Sequence, residues 1–452
     1  MMRAIKHWAI PLLITAGSCA PVKPVKVSPV RYSAFQPAAV ADYHREFAQY
    51  CQTDLNKDYE TSAVVSNFFG EHRRSIEFAT LRDSRLLRPD YEVQIPGNQE
   101  RVFRDHIEGI LNNPQANAEE KRTAARMLML VTTVDYAKTF TTNTMADAIE
   151  TVVDKAGEFR FLLINEAHNS ARNRAFTTSL LRPLWEKGYR YLALEALSHQ
   201  DKDLVSRGYP TVSTGHYFGD PVFGNMLREA LSLGYKLIPY ESKNPSQNPT
   251  LRDRDQALNI YNSTLKTDPE ARVIVHAGYS HISEEGGPTY TPMGAQLKAL
   301  VKQEILTVDQ VTMTERNDSL KMHPYYRHVM THLKPQVPVV FKNEQDILVD
   351  PIRLASIDIQ VYHPATVYRK GRPNWLLQNG AKLYELPAEF VKHRGFLLQA
   401  FRDGEPDSAV PVDQFVIEEE NALLLKPGKY VLKLTDRSGT LSGTAALQID
   451  RE

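Results

Sequence analysis

Beginning near Glu158, short apolar runs alternate with amphipathic stretches of helical periodicity. Residues 159–164 (FRFLLI), 189–194 (YRYLAL), 236–240 (KLIPY) and 271–275 (ARVIV) read as strands, and a further strand is expected over 306–313. Between them, 171–187, 222–233, 252–265 and 293–301 carry apolar residues at helical spacing. Strands alternating with helices of this length predict an α/β fold, with a mostly parallel sheet and helical crossovers, over 158–335.

The flanks have other rhythms. Residues 41–157 read as a helical region, with Ala and Leu at helical spacing over 118–137, another amphipathic stretch over 142–155 and a loop over 89–99. This region is expected to be a cap or packing layer. Past a connecting segment over 336–386, a small β domain is expected over 387–452. The strand-like pieces beyond Pro335 (337–341, 357–362, 396–401, 422–434, 445–449) are separated by turns such as Lys426-Pro-Gly-Lys429. There is no internal repeat.

The first residues follow a separate logic. Arg3 and Lys6 flank the start of an apolar run over 9–16 (AIPLLITA), too brief for the ~20 residues that span a bilayer and suited to a signal-peptide core. The run ends in Ala16-Gly17-Ser18-Cys19, the form of a bacterial lipobox. Residues 1–18 are therefore expected to be removed and Cys19 lipidated, with 19–40 as a Pro-, Val- and Lys-rich tether. Plain secretion and a retained anchor are the alternatives. The expected location is the bacterial envelope, at the periplasmic side of the outer membrane, with the lipid as the membrane contact. Once Cys19 carries lipid, Cys51 is the one cysteine left, so no intramolecular disulfide forms and Cys51 is expected to be a packed, inert thiol.

Composition adds an exclusion. With 42% hydrophobic and 24% charged residues and a formal net charge of +0, the chain has ordinary globular content and no basic field for nucleic acid. A small molecule, peptide or glycan is the expected partner.

Candidate chemistry lies where the strands end. In open parallel sheets ligands bind beyond the carboxyl ends of the strands. The first strand runs into Asn165-Glu166-Ala167-His168, the second into Glu195, the third into Tyr240-Glu241, and the fourth into His276-Ala-Gly-Tyr-Ser-His281. Each has a plainer reading. Glu195 or Glu241 would serve as a helix N-cap, His276 as a hydrogen-bonded core histidine, and His168 as a surface residue. Together they predict one polar cluster. The chain has no phosphate-binding Gly loop, no G-x-S-x-G elbow and no H-E-x-x-H helix. Water is then the expected attacker, activated by His or Glu as general base or on a divalent metal.

These residues resemble the erythromycin esterase/ChaN/TIKI-type superfamily, most closely its erythromycin esterase-like branch, over about 158–300. The matching features are the Glu166-x-His168 turn, Glu195 after the second strand, Arg252-Asp253-Arg254-Asp255 opening a helix, and the loop ending at His281. Asn165 stands where the family usually has Gly. The resemblance implies catalytic roles for Glu166, His168, Glu195 and His281, with His168 as general base, and substrate contacts from Arg252, Arg254 and Tyr279. It also implies Glu166, His168, Glu195, His276 and His281 as a metal set. Its members divide between hydrolases and haem-binding lipoproteins. The expected function is thus hydrolysis of an ester or amide. The alternative is a haem- or iron-binding lipoprotein with Tyr240, His276, Tyr279 or His281 as axial ligands.

Overall fold

A computed structural model describes residues 28–29, 44–86, 105–117, 120–121, 123–124, 136–243, 248–287, 289–350, 353, 356–386, 388–419 and 421–450. The signal segment with Cys19, all of the tether but residues 28–29, the 89–99 loop and most of 118–137 lie outside them.

After a two-residue strand, Ser28–Pro29, come three helices: α1 (Arg45–Gln52), α2 (Tyr59–Phe68) and α3 (His72–Leu86). Asp58 starts α2 by accepting from the backbone of Glu60 and Thr61. After α4 (Ala148–Ala156) come the strands and crossovers of the central unit. These are β1 (Phe161–Glu166), α5 (Ala171–Glu186), β2 (Tyr191–Leu194), α6 (Pro221–Leu233), β3 (Lys236–Pro239), α7 (Pro249–Ser263), β4 (Val273–Gly278), α8 (Met293–Val301), β5 (Leu306–Asp309) and β6 (Ile359–Gln360). The six strands form one parallel sheet in the order β3-β2-β4-β1-β5-β6.

Successive residues of each strand feed two different cores, which is why the strands read as unbroken apolar runs. Leu162, Ile164, Leu192 and Ile274 pack with Leu180 of α5 and Leu227 of α6. Phe161, Leu163, Ala193 and Val275 pack with Ile260 of α7 and Leu297 of α8. Crossovers leading away from β1 therefore cover one face, and those around β4 cover the other. The neighbouring ends of β1 and β4 form the crevice where ligands bind in such sheets.

The C-terminal residues form antiparallel sheets. β7 (Lys382–Glu385) pairs with β10 (Ala422–Leu425). β8 (Leu397–Arg402), β9 (Asp413–Val416), β11 (Gly428–Thr435) and β12 (Leu441–Ile449) form a four-stranded sheet in the order β9-β8-β11-β12. The N-terminal helices lean on this unit: Phe47, Tyr50, Phe69 and Phe78 share a core with Leu397. No helix among the described residues is long and apolar enough to cross a membrane.

Four local readings change. The fourth strand runs on to Gly278, so His276 is part of β4 and not of the loop after it. Residues 144–147, read as helical, form a strand, Thr144–Asp147, antiparallel to Val339–Lys342. The connecting segment supplies β6, the edge of the central sheet. The run over 422–434 is two strands, because Pro427 interrupts the ladder.

Candidate active site

Glu166, the last residue of β1, is 2% exposed. Arg174, on the first turn of α5 and wholly buried, grips it with Nε–Oε2 at 2.6 Å and Nη2–Oε1 at 2.8 Å. Its third nitrogen, Nη1, donates to Asp220 Oδ2 at 2.7 Å. Burial alone would raise the pKa of Glu166. The Arg174 charge, with the His168 hydrogen bond, overrides burial and holds the carboxyl well below the usual range. Glu166 is thus an ionised acceptor, so His168 Nδ1, 3.0 Å from its Oε1, carries the proton. That leaves a lone pair on His168 Nε2.

Two tyrosines bracket the His168 ring. Tyr217 stacks on it at 4.4 Å and 17°, and Tyr279 meets it edge-on at 4.9 Å. Both have left-handed backbones, φ +64 and +46, which non-glycine residues seldom adopt. Strain of this kind persists where surrounding packing over-determines it and clusters at functional sites. Burial, then the charges of Glu195 and Glu166, push the Tyr217 phenol up to about 12. Arg82 of α3 donates to the Tyr279 hydroxyl at 3.4 Å, joining the N-terminal helices to the site.

Glu195 follows β2 and reaches across β4. Its Oε2 accepts the Gly278 N–H at 2.6 Å, and its Oε1 accepts from Arg252 Nη2 at 2.8 Å. Burial would raise its pKa, but His281, the Gly278 amide, His168 and Arg252 together lower it. Gly278 is required here. A Cβ at this position would lie 2.8 Å from His168 Nε2 and 3.2 Å from Glu195 Oε2, so imidazole and carboxylate close over one point. On the far side, Glu195 Oε1 is 3.7 Å from His281 Nε2.

His281 is held as His168 is. Its Nδ1 sits 2.7 Å from Asp253 Oδ2, which also accepts from the Tyr290 hydroxyl and the Met293 amide. Burial opposes the charge on His281, but the Asp253 hydrogen bond and the Glu195 and Asp253 charges outweigh it and raise the pKa. Arg252 also binds Glu241 through Nε at 3.0 Å, and Gln256 donates to the same carboxylate.

Glu166, His168, Glu195, Arg252 and His281 therefore come together, with Tyr279 against His168. His276 lies behind them. It is 2% exposed, its Nε2 has no hydrogen-bond partner and stands 3.7 Å from Glu166 Oε2, and burial lowers its pKa. It is a core histidine of β4. Arg254 is exposed on α7, on another face of the helix from Arg252, and outside the cluster. Glu241 is not a cap: Asn248 caps α7, and Glu241 pairs with Arg252. Cys51 packs among the N-terminal helices, and burial raises its thiol pKa.

The proposed metal set does not fit this geometry. Both oxygens of Glu166 face Arg174, both imidazoles spend Nδ1 on carboxylates, and Glu195 is held by a guanidinium and an amide. Among the described residues no three His, Cys, Asp or Glu side chains group around one ion. The positive charge a cation would bring is already supplied by arginine. As haem ligands, Tyr240 and His276 are out of reach. Tyr240 is wholly buried, with its hydroxyl donating to the His276 carbonyl.

Arg174, Asp220, Asp253, Tyr217, Gly278 and Tyr290 were not assigned roles from sequence. One signal was legible for Arg174. Arg172 and Arg174 sit in the first helical turn, where the helix dipole disfavours cations, so something else must hold them there.

No protein-family model matches the chain, and no curated protein matches it. Among solved structures, it is similar to the type III effector HopBA1 at 16% identity, TM-score 0.28, covering 40% of this chain and 93% of that one. RRSP, a MARTX toxin effector domain from Vibrio vulnificus, matches at 14% identity and TM-score 0.27, covering 66% and 69%. The C-terminal region of Pasteurella multocida toxin, described with a thiol-protease like catalytic triad, matches at 12% identity and TM-score 0.29, covering 93% and 70%. Likenesses this distant carry no inference about the chemistry of this chain.

Proposed function

We propose that this chain is a hydrolase that uses activated water on an ester or amide. One observation carries the reading. Two imidazoles, His168 and His281, are each anchored at Nδ1 by a carboxylate, and the Glu195 carboxylate lies 3.7 Å from His281 Nε2 and meets the His168 ring above Gly278. Such pairing suits proton transfer in both directions. His168 Nε2 takes a proton from water, and the hydroxide oxygen bonds to the carbonyl carbon. Glu166, kept ionised by Arg174, stabilises the imidazolium that forms. His281, whose raised pKa keeps it protonated longer, then gives its Nε2 proton to the leaving oxygen or nitrogen as the carbon–heteroatom bond breaks. Arg252 Nη1 donates to His281 Nε2 at 3.3 Å while that nitrogen is unprotonated, and protonation of Nε2 releases this N–H to the oxyanion.

The test is a panel of nitrophenyl esters and peptide anilides, with wild type compared against His168→Ala and His281→Ala. Losses of about 10²–10⁴-fold are expected for each. Equal rates in all three proteins would end the assignment.

We also propose that Cys19 is lipidated and holds the protein in the bacterial envelope, on the strength of the Ala16–Cys19 motif. Mass spectrometry of the N-terminal peptide reads this directly. Cys19→Ser should move the protein to the soluble fraction, and an unmodified Cys19 in membrane-associated protein would refute it.

A further inference from the structure

A cavity of about 170 Å³ lies where α6, the α2–α3 junction and the C-terminal β unit meet, away from His168 and His281. A dry cavity of ~150 Å³ admits benzene, so this one takes a ligand of that size. Part of its wall is apolar, from Trp375, Leu376, Val412 and Leu424. Its charged lining comprises Arg228, Arg372, Arg402 and Lys426 with Asp220, Glu229 and Asp413, and the balance turns on which of these cations have an acidic partner. His72 does not change that balance, because burial followed by the Arg372 and Arg172 charges brings its pKa down to about 3.

One of the four lacks such a partner among the described residues. Arg372 is matched by both oxygens of Asp413. Arg228, 4% exposed, is matched by Glu405 at 2.6 Å. Lys426 stands 3.8 Å from Glu229. Arg402 is exposed at the rim, with no ion pair among the described residues. Burial, and the Arg402 charge beside it, lower the pKa of Arg228 against the pull of Glu405. Two guanidinium groups near one carboxylate repel each other, and one added anion relieves this.

We propose that this interdomain cavity binds a small monocarboxylate with an apolar, benzene-sized body, its carboxylate on Arg402 at the rim and its body against Trp375. A dianion such as phosphate lacks the apolar part and overshoots the charge. The cavity also touches the hydrolytic cluster through one residue. Asp220 lines it and holds Arg174, which in turn holds Glu166. This site is independent of the reaction proposed above.

Sodium benzoate is the probe, with benzyl alcohol and inorganic phosphate as controls, each titrated calorimetrically into the intact soluble chain. One benzoate should bind per chain at millimolar concentration, about tenfold or more tighter than benzyl alcohol, with phosphate silent. Arg402→Gln, at an exposed position that leaves the fold intact, should weaken benzoate by at least about tenfold. Val222→Phe, which narrows the cavity, should remove the binding, with its melting temperature checked in parallel. Absence of benzoate binding, equal affinity for benzyl alcohol, or an unchanged affinity in Arg402→Gln would each overturn the proposal.

Discussion

Arg174→Met tests the clamp on which the site is built. Methionine keeps much of the reach and apolar volume of arginine but has no charge and no donors. The substitution removes both hydrogen bonds to Glu166, the 2.7 Å bond to Asp220 and a 3.1 Å bond to the His168 carbonyl. Two carboxylates, 2% and 1% exposed, lose their shared counter-ion. Removing one partner of a buried pair costs about 3–5 kcal/mol, and two stranded carboxylates place this case near the top of that range. Native proteins hold only about 5–15 kcal/mol in total, so the loss is large.

The same substitution should reverse a pH trend. In the wild type the depressed pKa of Glu166 gives stability that is present above the unfolded value of about 4.3 and lost as pH falls below it. Without Arg174, burial dominates: Glu166 rises above its unfolded value, and Asp220, which burial already raises in the wild type, rises further. Stability is then greatest in acid and lost as pH rises. Urea unfolding at pH 5 and pH 8 reads both effects. Arg182→Met, at an exposed pair with Glu229, is the control and should change stability by no more than about 0.5 kcal/mol. A loss below about 1 kcal/mol for Arg174→Met, with an unaltered pH trend, would refute the clamp.

Gly278→Ala should cut hydrolysis by about 10²-fold without unfolding the chain, since the new Cβ would sit 2.5 Å from His168 Cε1 and push the imidazole aside. Activity and circular dichroism together check this, and full activity would refute it. Asp253→Asn should lower the His281 pKa, which NMR titration of its Cε1 proton measures; an unmoved titration would show that Asp253 does not hold the charge. Glu284, raised to about 7 by burial and by Asp358, binds its proton more tightly when folded. Its contribution is present below the unfolded value of about 4.3 and lost as pH rises through 7. Glu284→Gln should flatten the fall in melting temperature between pH 5 and 7.5, and an unchanged slope would count against the pairing.

Much of the central sheet was legible because a strand buried on both faces must be apolar throughout, and a crossover helix must be apolar on one stripe. Both patterns are local, so β1, β2, β3 and α8 were readable within a residue or three of their ends. The same locality explains the misreadings. Residues 144–147 have no strand signature until Val339–Lys342 arrives to pair with them, and the strand-like piece over 357–362 carries no local sign that β6 within it joins the edge of the central sheet. His276 looked like a loop residue because a polar side chain inside a buried strand is rare, and its exposure depends on what packs over it.

Position along the chain was enough to place Glu166, His168, Glu195 and His281 together, since parallel strands of similar length end on one edge. It could not supply their partners. Arg174 meets Asp220 across 46 residues, His281 meets Asp253 across 28, and Arg252 meets Glu195 across 57. A buried charge is tolerated only when an opposite one lies within a few ångströms, and that distance is a property of the packed fold. The sequence by itself determined which chemistry stands at the sheet edge. Tertiary packing decided that each imidazole is tied at Nδ1 to a carboxylate, and that Glu195 comes to lie beside both rings.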